Sequence, residues 1–252
     1  MVHFVGAGPG AEDLITIRGH KLIENADVII YAGSLVNPAL LKSAKEECSI
    51  YNSAYMNLEE VIEVMVGAEK KGLTTVRLHT GDPAIFGAVR EQMDELEKRG
   101  IAYDVCPGVS ALFGAAAALR TEYTLPEVSQ SVIITRAEGR TAVPEKEALP
   151  ELARHQATMI LFLSSRLADK VKIQLLEGGY APETPVAVVY KATWPEEKIL
   201  RTTIEKLPEA MKREEITKTA LIVVGDVLGG EYAKSKLYDA SFSTEFRKGR
   251  PS

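Results

Sequence analysis

Short β-branched runs alternate with amphipathic segments along the first half of the chain, and this alternation constrains the fold more than any other feature. The runs typical of strands are residues 2–5, 27–31, 73–78 and 102–105. The segments with helical periodicity are residues 16–25, 58–71, 86–99 and 110–119. Strands and helices that alternate at this spacing predict an α/β fold with a mostly parallel N-terminal sheet.

The second half of the chain continues with strand-like runs at residues 129–135, 158–163, 185–190 and 219–225. The run at 198–203 follows so closely on Tyr190 that an antiparallel pair is expected there, which predicts a mixed C-terminal sheet. Residues 120–127 contain Pro126 and no clear periodicity, and are interpreted as a linker. The predicted organisation is an N-terminal α/β domain (1–119), the linker, and a C-terminal α/β domain (128–252).

The composition excludes several classes of protein. Of the 252 residues, 46% are hydrophobic and 26% charged, which predicts a packed core and not a disordered chain. A net charge of −5 argues against general binding to nucleic acid or to a membrane surface. We find no apolar run that could span a bilayer and no signal-peptide pattern, so a cytoplasmic location is expected. Cys48 and Cys106 lie far apart, which disfavours a disulfide framework.

Two common catalytic signatures and a protein metal site also find no support. The four histidines show no spacing typical of metal ligands. Neither a G-x-S-x-G nucleophile motif nor a Walker lysine motif occurs, which disfavours hydrolases and P-loop enzymes.

A glycine-rich loop follows the first strand and reads Gly6-Ala7-Gly8-Pro9-Gly10-Ala11. It formally satisfies the dinucleotide-binding fingerprint. However, Pro9 removes an amide donor, and the next strand ends at Tyr31 without an acidic residue to hold a ribose hydroxyl. The motif alone fits nucleotide binding and a ligand-free tight turn about equally well, and a nicotinamide-dependent oxidoreductase is the disfavoured alternative.

Two further loops follow predicted strands. Thr80-Gly81-Asp82-Pro83 comes after residues 73–78, and Cys106-Pro107-Gly108-Val109-Ser110 comes after residues 102–105. Taken singly, Asp82 is typical of an Asx turn and Ser110 of a helix N-cap. Ligands bind beyond the carboxyl ends of parallel strands, so the three loops are expected to converge on one site.

Together these motifs resemble the tetrapyrrole (corrin/porphyrin) methyltransferases. The resemblance extends over nearly the whole chain and also includes Asp13-Leu14-Ile15-Thr16 and Phe86-Gly87. It implies two α/β domains that bind S-adenosylmethionine between them, usually in a homodimer. The cofactor contacts that it implies are Pro9, Thr80, Gly81, Asp82, Ile85, Ser110, Ala111, Leu163 and Ala192, the last at a position where relatives often have glycine.

Two segments indicate a branch within this family. Tyr31 to Val36 and Asn52 to Met56 resemble the enzymes that methylate C-11 of precorrin-4 or of its cobalt complex. Members that methylate uroporphyrinogen III have an acidic residue after the tyrosine of the second strand, and Ala32 stands there in this chain. The acid–base residues of that branch are therefore not carried over, and no catalytic residue is assigned. A family member that methylates another ring position or a different acceptor, and a non-catalytic tetrapyrrole-binding module, are the alternatives.

The acceptor implied by the resemblance is flat and carries several carboxylates. Tyr31 and Tyr55 offer aromatic faces on which a macrocycle could stack, although both could equally pack beneath the loops. Arginines are expected to bind the carboxylates. Arg90, Arg120 and Arg136 are the candidates, and a solvated surface position is the alternative for each.

Overall fold

In the residues that this computed structural model describes, 1–230 and 232–250, ten strands form two sheets of five. By its contacts the chain divides into two units, Met1–Ala118 with Tyr190–Lys198, and Leu119–Val189 with Ile199–Ser252. Residues 190–198 thus group with the first unit, whereas the sequence analysis assigned them to the second domain. The domain boundaries at 119 and 128 stay a prediction.

The first unit contains a parallel sheet with strand order β3-β2-β4-β1-β5. Its strands are β1 (Val2–Gly6), β2 (Val28–Tyr31), β3 (Ser49–Asn52), β4 (Thr75–His79) and β5 (Tyr103–Cys106). Its helices are α1 (Ile17–Asn25), α2 (Leu58–Glu69), α3 (Arg90–Lys98) and α4 (Ala111–Leu119). All these elements except β3 agree in type with the sequence analysis, which had not identified residues 49–52 as a strand.

The two faces of this sheet bury different side chains. On one face, Val76 and Leu78 of β4 belong to a core cluster that includes Ile23 of α1. On the other face, Phe4 of β1 packs in a second cluster with Met65 of α2. Because side chains alternate along a strand, residues 75, 77 and 79 share the face opposite to Val76 and Leu78.

Helix α3 begins four residues later than predicted. Phe86 and Ala88 have φ angles of 54° and 50°, in the left-handed region that a helix cannot contain. Gly87 between them lies so close to Pro83 that a Cβ would be 2.9 Å from the carbonyl carbon of Pro83. The prediction of a helix over 86–99 was therefore wrong for its first turn, because apolar spacing does not report backbone handedness.

The second unit has a mixed sheet with strand order β6-β7-β10-β8-β9. Its strands are β6 (Val132–Arg136), β7 (Thr158–Phe162), β8 (Pro185–Tyr190), β9 (Lys198–Thr203) and β10 (Ala220–Val224). Strand β6 is parallel to β7, and β10 is antiparallel to it. The helices are α5 (Leu149–Ala153), α6 (Ala168–Glu177) and α7 (Leu207–Arg213). The predicted fold class, two α/β domains with one mostly parallel and one mixed sheet, is confirmed.

Short 3-10 helices occupy several connections, at Glu12–Leu14, Gly33–Leu35, Pro38–Ser43, Ser53–Tyr55, Glu145–Glu147, Ser165–Leu167, Asp226–Leu228 and Lys236–Tyr238. Across residues 1–230 and 232–250, none of the helices combines the length and the apolar character that a membrane crossing needs.

Candidate cofactor and acceptor site

The loops that follow β1 and β4 are joined through their backbones. The amide of Ala7 donates to the carbonyl of His79 at 2.7 Å. Gly8 and Gly81 then exchange two hydrogen bonds, of 3.2 and 2.8 Å, as an isolated antiparallel bridge. Gly8 and Gly81 have φ angles of 80° and 59°, which glycine adopts without strain. The loops after β1 and β4 were predicted to converge, and they are in direct contact.

The loop after β5 packs against both. A Cβ on Gly6 would lie 2.5 Å from the Cα of Gly108, and a Cβ on Gly108 would lie 2.7 Å from the Cα of Gly6. Real Cβ atoms do not approach other atoms this closely, so both positions require glycine. We call the contact of Gly6, Gly8, Gly81 and Gly108 the glycine junction. Here the glycines serve the packing of one loop on another.

Asp82 fastens the junction with its carboxylate. Its Oδ1 accepts from the amide of Ala84 at 2.8 Å, which is an Asx turn. Its Oδ2 accepts from the amide of Gly108, also at 2.8 Å. The side chain thus ties the loop after β4 to the loop after β5. The turn was predicted from the sequence, and the second bond was not.

Residues 190–198 lie against the glycine-rich loop. The indole Nε1 of Trp194 donates to the carbonyl of Pro9 at 3.1 Å. The amide of Ala11 donates to Oγ1 of Thr193 at 3.0 Å. A Cβ on Gly10 would lie 2.9 Å from the carbonyl oxygen of Ala192, which is itself buried. This close packing explains Gly10 and places Ala192 next to the loop that follows β1.

The first unit brings eight of the nine predicted cofactor residues to neighbouring loops: Pro9, Thr80, Gly81, Asp82, Ile85, Ser110, Ala111 and Ala192. A Cβ on Gly81 would be 3.2 Å from the amide nitrogen of Ala111, so this loop also contacts the start of α4. Leu163 follows β7 in the second unit, is 68% exposed and has a φ of 53°. Left-handed backbone at a branched residue is strained. The cofactor contacts of all nine stay a prediction.

A cavity of about 280 Å³ opens in the first unit beside the carboxyl end of β4. Residues from both segments that indicated the branch line it, namely Ala32 and Leu35 with Ser53 and Met56. Thr80 and Ile85, predicted to bind the cofactor, line it too. A hydroxyl beside apolar side chains suits a ligand such as S-adenosylmethionine, which has both polar and apolar parts. The cavity thus adjoins residues expected for cofactor and for acceptor.

Arg77 forms part of the cavity wall although it is only 6% exposed. Its Nε donates to Oε1 of Gln92 at 2.9 Å and its Nη1 to the carbonyl of Ile30 at 3.2 Å. Within residues 1–230 and 232–250, no carboxylate pairs with this guanidinium. Burial lowers the pKa of Arg77 to about 10, so the side chain stays cationic at neutral pH.

His79 also lines the cavity, and it is 4% exposed. Its Nε2 is buried and has no hydrogen-bond partner in the part of the chain that the structure describes. Burial, and secondly the charge of Arg77, lower the pKa of His79 to about 3. The imidazole is therefore neutral at physiological pH, with one ring nitrogen unsatisfied.

Arg77 and His79 were missed by the sequence analysis, which considered the histidines only as metal ligands. Their signal was the alternation Thr75, Arg77, His79 within an otherwise apolar central strand. Over residues 1–230 and 232–250, no group of three or more His, Cys, Asp or Glu side chains is placed to hold a metal ion.

The residues proposed for acceptor contacts have other partners or lie apart from the cavity. Arg90 pairs with Asp94 at 2.7 Å, and the guanidinium of Arg136 donates to two backbone carbonyls. Arg120 is exposed, with a φ of 54°. Tyr31 packs against a core cluster, which agrees with the alternative of a packing role for this side chain. Tyr55 is 86% exposed.

Comparison with known proteins assigns the family. The model of the Tetrapyrrole (Corrin/Porphyrin) Methylases matches residues 1–208. The chain belongs to this family. It is 61% identical to the cobalt-precorrin-4 C(11)-methyltransferase of Methanocaldococcus jannaschii over 248 residues, which cover 98% of this chain and 96% of that one.

Solved structures agree in fold. The crystal structure of a cobalt-precorrin-4 methyltransferase is 48% identical, with a TM-score of 0.89 over 91% of this chain and 96% of the other. A uroporphyrin-III C-methyltransferase of Thermus thermophilus, complexed with S-adenyl homocysteine, is 24% identical, with a TM-score of 0.75 over 90% and 93%. The latter shows the fold alone. Together with the family match, these results confirm the prediction of an S-adenosylmethionine-dependent methyltransferase.

Proposed function

We propose that this protein transfers the methyl group of S-adenosylmethionine to C-11 of cobalt-precorrin-4, giving cobalt-precorrin-5 and S-adenosylhomocysteine during cobalamin biosynthesis. The observation that carries the proposal is the 61% identity, over nearly the whole of both chains, to a methyltransferase of that name. The cavity supports it, because both segments that resemble this branch line the same space beside β4. The solved structure at 48% identity favours the cobalt complex over metal-free precorrin-4.

In the first unit, the residues that would hold the cofactor are Pro9, Thr80, Gly81, Asp82, Ile85, Ser110, Ala111 and Ala192. When bound, S-adenosylmethionine supplies an activated sulfonium methyl group. The glycine junction fixes the loops that carry these residues, apart from Ala192, so little reorganisation is expected on binding. Leu35 and Ile85 contribute apolar side chains to the cavity wall, and a bound acceptor would cover them. Orientation and exclusion of water suffice for the reaction, and no side chain is assigned as acid or base.

The position of the new methyl group tests this proposal. The enzyme is incubated with isotope-labelled S-adenosylmethionine and either cobalt-precorrin-4, metal-free precorrin-4 or uroporphyrinogen III, and carbon NMR locates the label. We expect label at C-11, with faster transfer to the cobalt complex. Label at C-2 or C-7 of uroporphyrinogen III, with none at C-11 of either precorrin, would contradict it.

Calorimetric titration separates the enzyme from the alternative classes. We expect S-adenosylmethionine and S-adenosylhomocysteine to bind, and NADH not to bind, because Pro9 removes an amide and no acid follows Tyr31. Saturable NADH binding without a response to S-adenosylhomocysteine would favour an oxidoreductase. Binding of both cofactor and tetrapyrrole without methyl transfer would indicate a non-catalytic module.

The protein is further proposed to act as a cytoplasmic homodimer. The dimer rests on the family resemblance, and the location on the biosynthetic enzymes to which the chain is similar. Light scattering at working concentration should give about twice the chain mass of 27.5 kDa. A mass of one chain would contradict the dimer.

A further inference from the structure

We propose that the cavity beside β4 is a carboxylate subsite in which Arg77 and His79 bind one carboxylate side chain of the acceptor. This inference rests on the proposed function and adds which part of the substrate the cavity receives. It concerns two buried residues of one strand, and not Arg90, Arg120 and Arg136, which the sequence first indicated.

Arg77 carries a buried charge that no carboxylate balances within the part of the chain that the structure describes. Two neutral acceptors, Gln92 and Ile30, take hydrogen bonds from Nε and Nη1 of Arg77. Its Nη2 has no hydrogen-bond partner within residues 1–230 and 232–250. A buried guanidinium loses its hydration, and neutral partners replace that loss only in part. A carboxylate in the cavity would supply the missing charge and can accept two parallel N–H bonds.

The orientation of Arg77 is already fixed. Gln92 accepts from Arg77 through Oε1 and donates through Nε2 to the carbonyl of Ala88 at 2.9 Å. Since Ala88 belongs to the left-handed segment that also lines the cavity, the guanidinium is held by the same residues that shape the space around it. An anion would therefore meet a donor group that loses little conformational entropy on binding.

The imidazole of His79 is a second buried group on this strand with an unsatisfied polar atom. His79 lies two residues after Arg77 on the same face of β4, about 7 Å along the strand. Its buried Nε2 lacks a partner in the described residues, which is a rare condition for a buried polar atom. In the neutral tautomer that carries hydrogen on Nε2, the ring would donate to a carboxylate oxygen. Both residues line the same cavity, so a carboxylate that Arg77 holds would reach Nε2 after a small rotation of the ring toward the cavity.

The carboxylate could come from the acceptor or from the methionine part of the cofactor. The cavity favours the acceptor, because Ala32, Leu35, Ser53 and Met56 come from the segments that distinguish this branch. Glu91 also lines the cavity and is exposed, so its charge opposes an incoming anion. Removing that charge should strengthen acceptor binding, whereas removing Arg77 or His79 should weaken it.

The experiment compares five variants of the full chain: Arg77→Gln, His79→Leu, His79→Gln, Glu91→Gln and, as a control on the outer part of α2, Glu63→Gln. Two quantities are measured for each: the KM for cobalt-precorrin-4 and the Kd for S-adenosylhomocysteine. We expect Arg77→Gln to raise the KM about 10- to 100-fold and His79→Leu about 10-fold. His79→Gln, which keeps an N–H donor, should stay within about 3-fold of the unaltered enzyme.

Glu91→Gln should lower the KM by about 2- to 3-fold, and Glu63→Gln should leave it unchanged. The Kd for S-adenosylhomocysteine should stay within about 2-fold throughout. A rise in that Kd with an unchanged KM would assign the carboxylate to the cofactor and overturn the proposal. Unchanged values of both would also overturn it. If Arg77→Gln does not fold, the two His79 variants and Glu91→Gln decide the matter.

A separate arm keeps this test independent of the proposed function. Uroporphyrin III, a stable and carboxylate-rich porphyrin, is titrated into each variant and its binding followed by the shift of the Soret band. If the unaltered enzyme methylates neither precorrin, the proposed function fails. Weaker porphyrin binding by Arg77→Gln and His79→Leu, but not by His79→Gln, would still support the subsite. Equal binding by all variants would overturn it.

Discussion

The glycine junction and the cavity beside β4 lie at the same end of one parallel sheet, yet their polar groups are treated in opposite ways. In the junction, Gly8 and Gly81 bond each other, and both carboxylate oxygens of Asp82 are used. In the cavity, Arg77 has no counter-charge and Nε2 of His79 has no partner among the described residues. The junction satisfies its own polar groups and so holds its loops in place. The cavity leaves polar groups unsatisfied, which is typical of a ligand-binding site.

The two regions also differ in what their sequence signals mean. Glycines in a loop at a strand end suggest close approach of a ligand, but here Gly6 and Gly108 allow close approach of loops. Conversely, Arg77 and His79 lie within a strand and carry no recognised motif, yet they bear the unsatisfied groups. If this contrast is right, substitutions in the junction should chiefly change stability, and substitutions in the cavity should change pH dependence and ligand binding.

The largest effect is expected for Gly108→Ala. The added Cβ would lie 2.7 Å from the Cα of Gly6 and closer still to the carbonyl oxygen of Gly81, and neither backbone can move without disturbing its strand. We expect a loss of about 3 kcal/mol or more in the free energy of unfolding. Urea denaturation followed by circular dichroism measures it.

Gly67→Ala is the matched control. Gly67 lies within α2, and nothing stands within 4 Å of an added Cβ. Alanine there should raise the free energy of unfolding by about 0.5–1 kcal/mol, since it lowers the entropy of the unfolded chain. Equal stability of the two variants would show that the junction does not depend on glycine.

The next largest effect is the loss of stability at low pH that His79 causes. The pKa of this imidazole is lowered from 6.5 to about 3 in the folded protein, so below pH 6.5 the unfolded chain takes up a proton that the folded one excludes. Its contribution to stability is therefore lost as the pH falls, by about 1.4 kcal/mol per pH unit between pH 6.5 and 3.

His79→Gln should remove this dependence. Urea unfolding of both proteins at pH 7, 6, 5 and 4 gives the difference in slope, and exposed His155→Gln controls for the loss of an imidazole. The free energies of the unaltered protein and His79→Gln should diverge steadily toward low pH. Parallel profiles would mean that the ring is protonated in the folded state.

The sequence predicted the junction better than the cavity, and the reason is physical. Loops at the carboxyl ends of parallel strands lie at one edge of the sheet, so the loops that carry Gly6, Gly81 and Gly108 could be grouped because each follows a predicted strand. The cavity depends on the left-handed backbone at Phe86 and Ala88, which interrupts an apparently helical pattern. Local periodicity does not encode that handedness, and so the start of α3 was misplaced.

One further contact could not be predicted because it joins residues distant in sequence. Trp194 bonds Pro9 across 185 positions, and no composition shift marks residues 190–198 as part of the first unit. The polar alternation along β4 was visible in the sequence. That pattern shows which side chains share a face of the strand, but it does not show that a cavity lies against this face.

Asp82 links the two regions, because its loop belongs to the junction and also carries predicted cofactor contacts. Asp82→Ala removes two charge-assisted bonds to backbone amides and should cost about 2 kcal/mol of stability. Since the loop then loses its fixed position, we expect the Kd for S-adenosylhomocysteine to rise about 10-fold or more, measured by calorimetry.

Asp82→Asn separates the contribution of the Asx turn from that of the bond to Gly108. Its amide keeps one acceptor, so it can preserve the Asx turn with Ala84 but cannot also accept from Gly108. It should therefore lose about half of the stability that Asp82→Ala loses. An unchanged Kd in a destabilised but folded Asp82→Ala protein would restrict Asp82 to the junction.

The smallest expected effect tests whether residues 190–198 hold the glycine-rich loop by a directed bond or by packing alone. Trp194→Phe removes the bond from Nε1 to the carbonyl of Pro9 and keeps an aromatic ring near Gly10. Loss of one neutral hydrogen bond should cost about 1 kcal/mol, partly offset by water reaching the carbonyl. Trp194→Ala also removes the ring and should cost clearly more, because the space beside Gly10 is left unfilled. Urea denaturation gives both values. If Trp194→Phe and Trp194→Ala lower the free energy of unfolding equally, the hydrogen bond alone fixes the loop. If Trp194→Phe leaves it unchanged, packing of the ring fixes the loop.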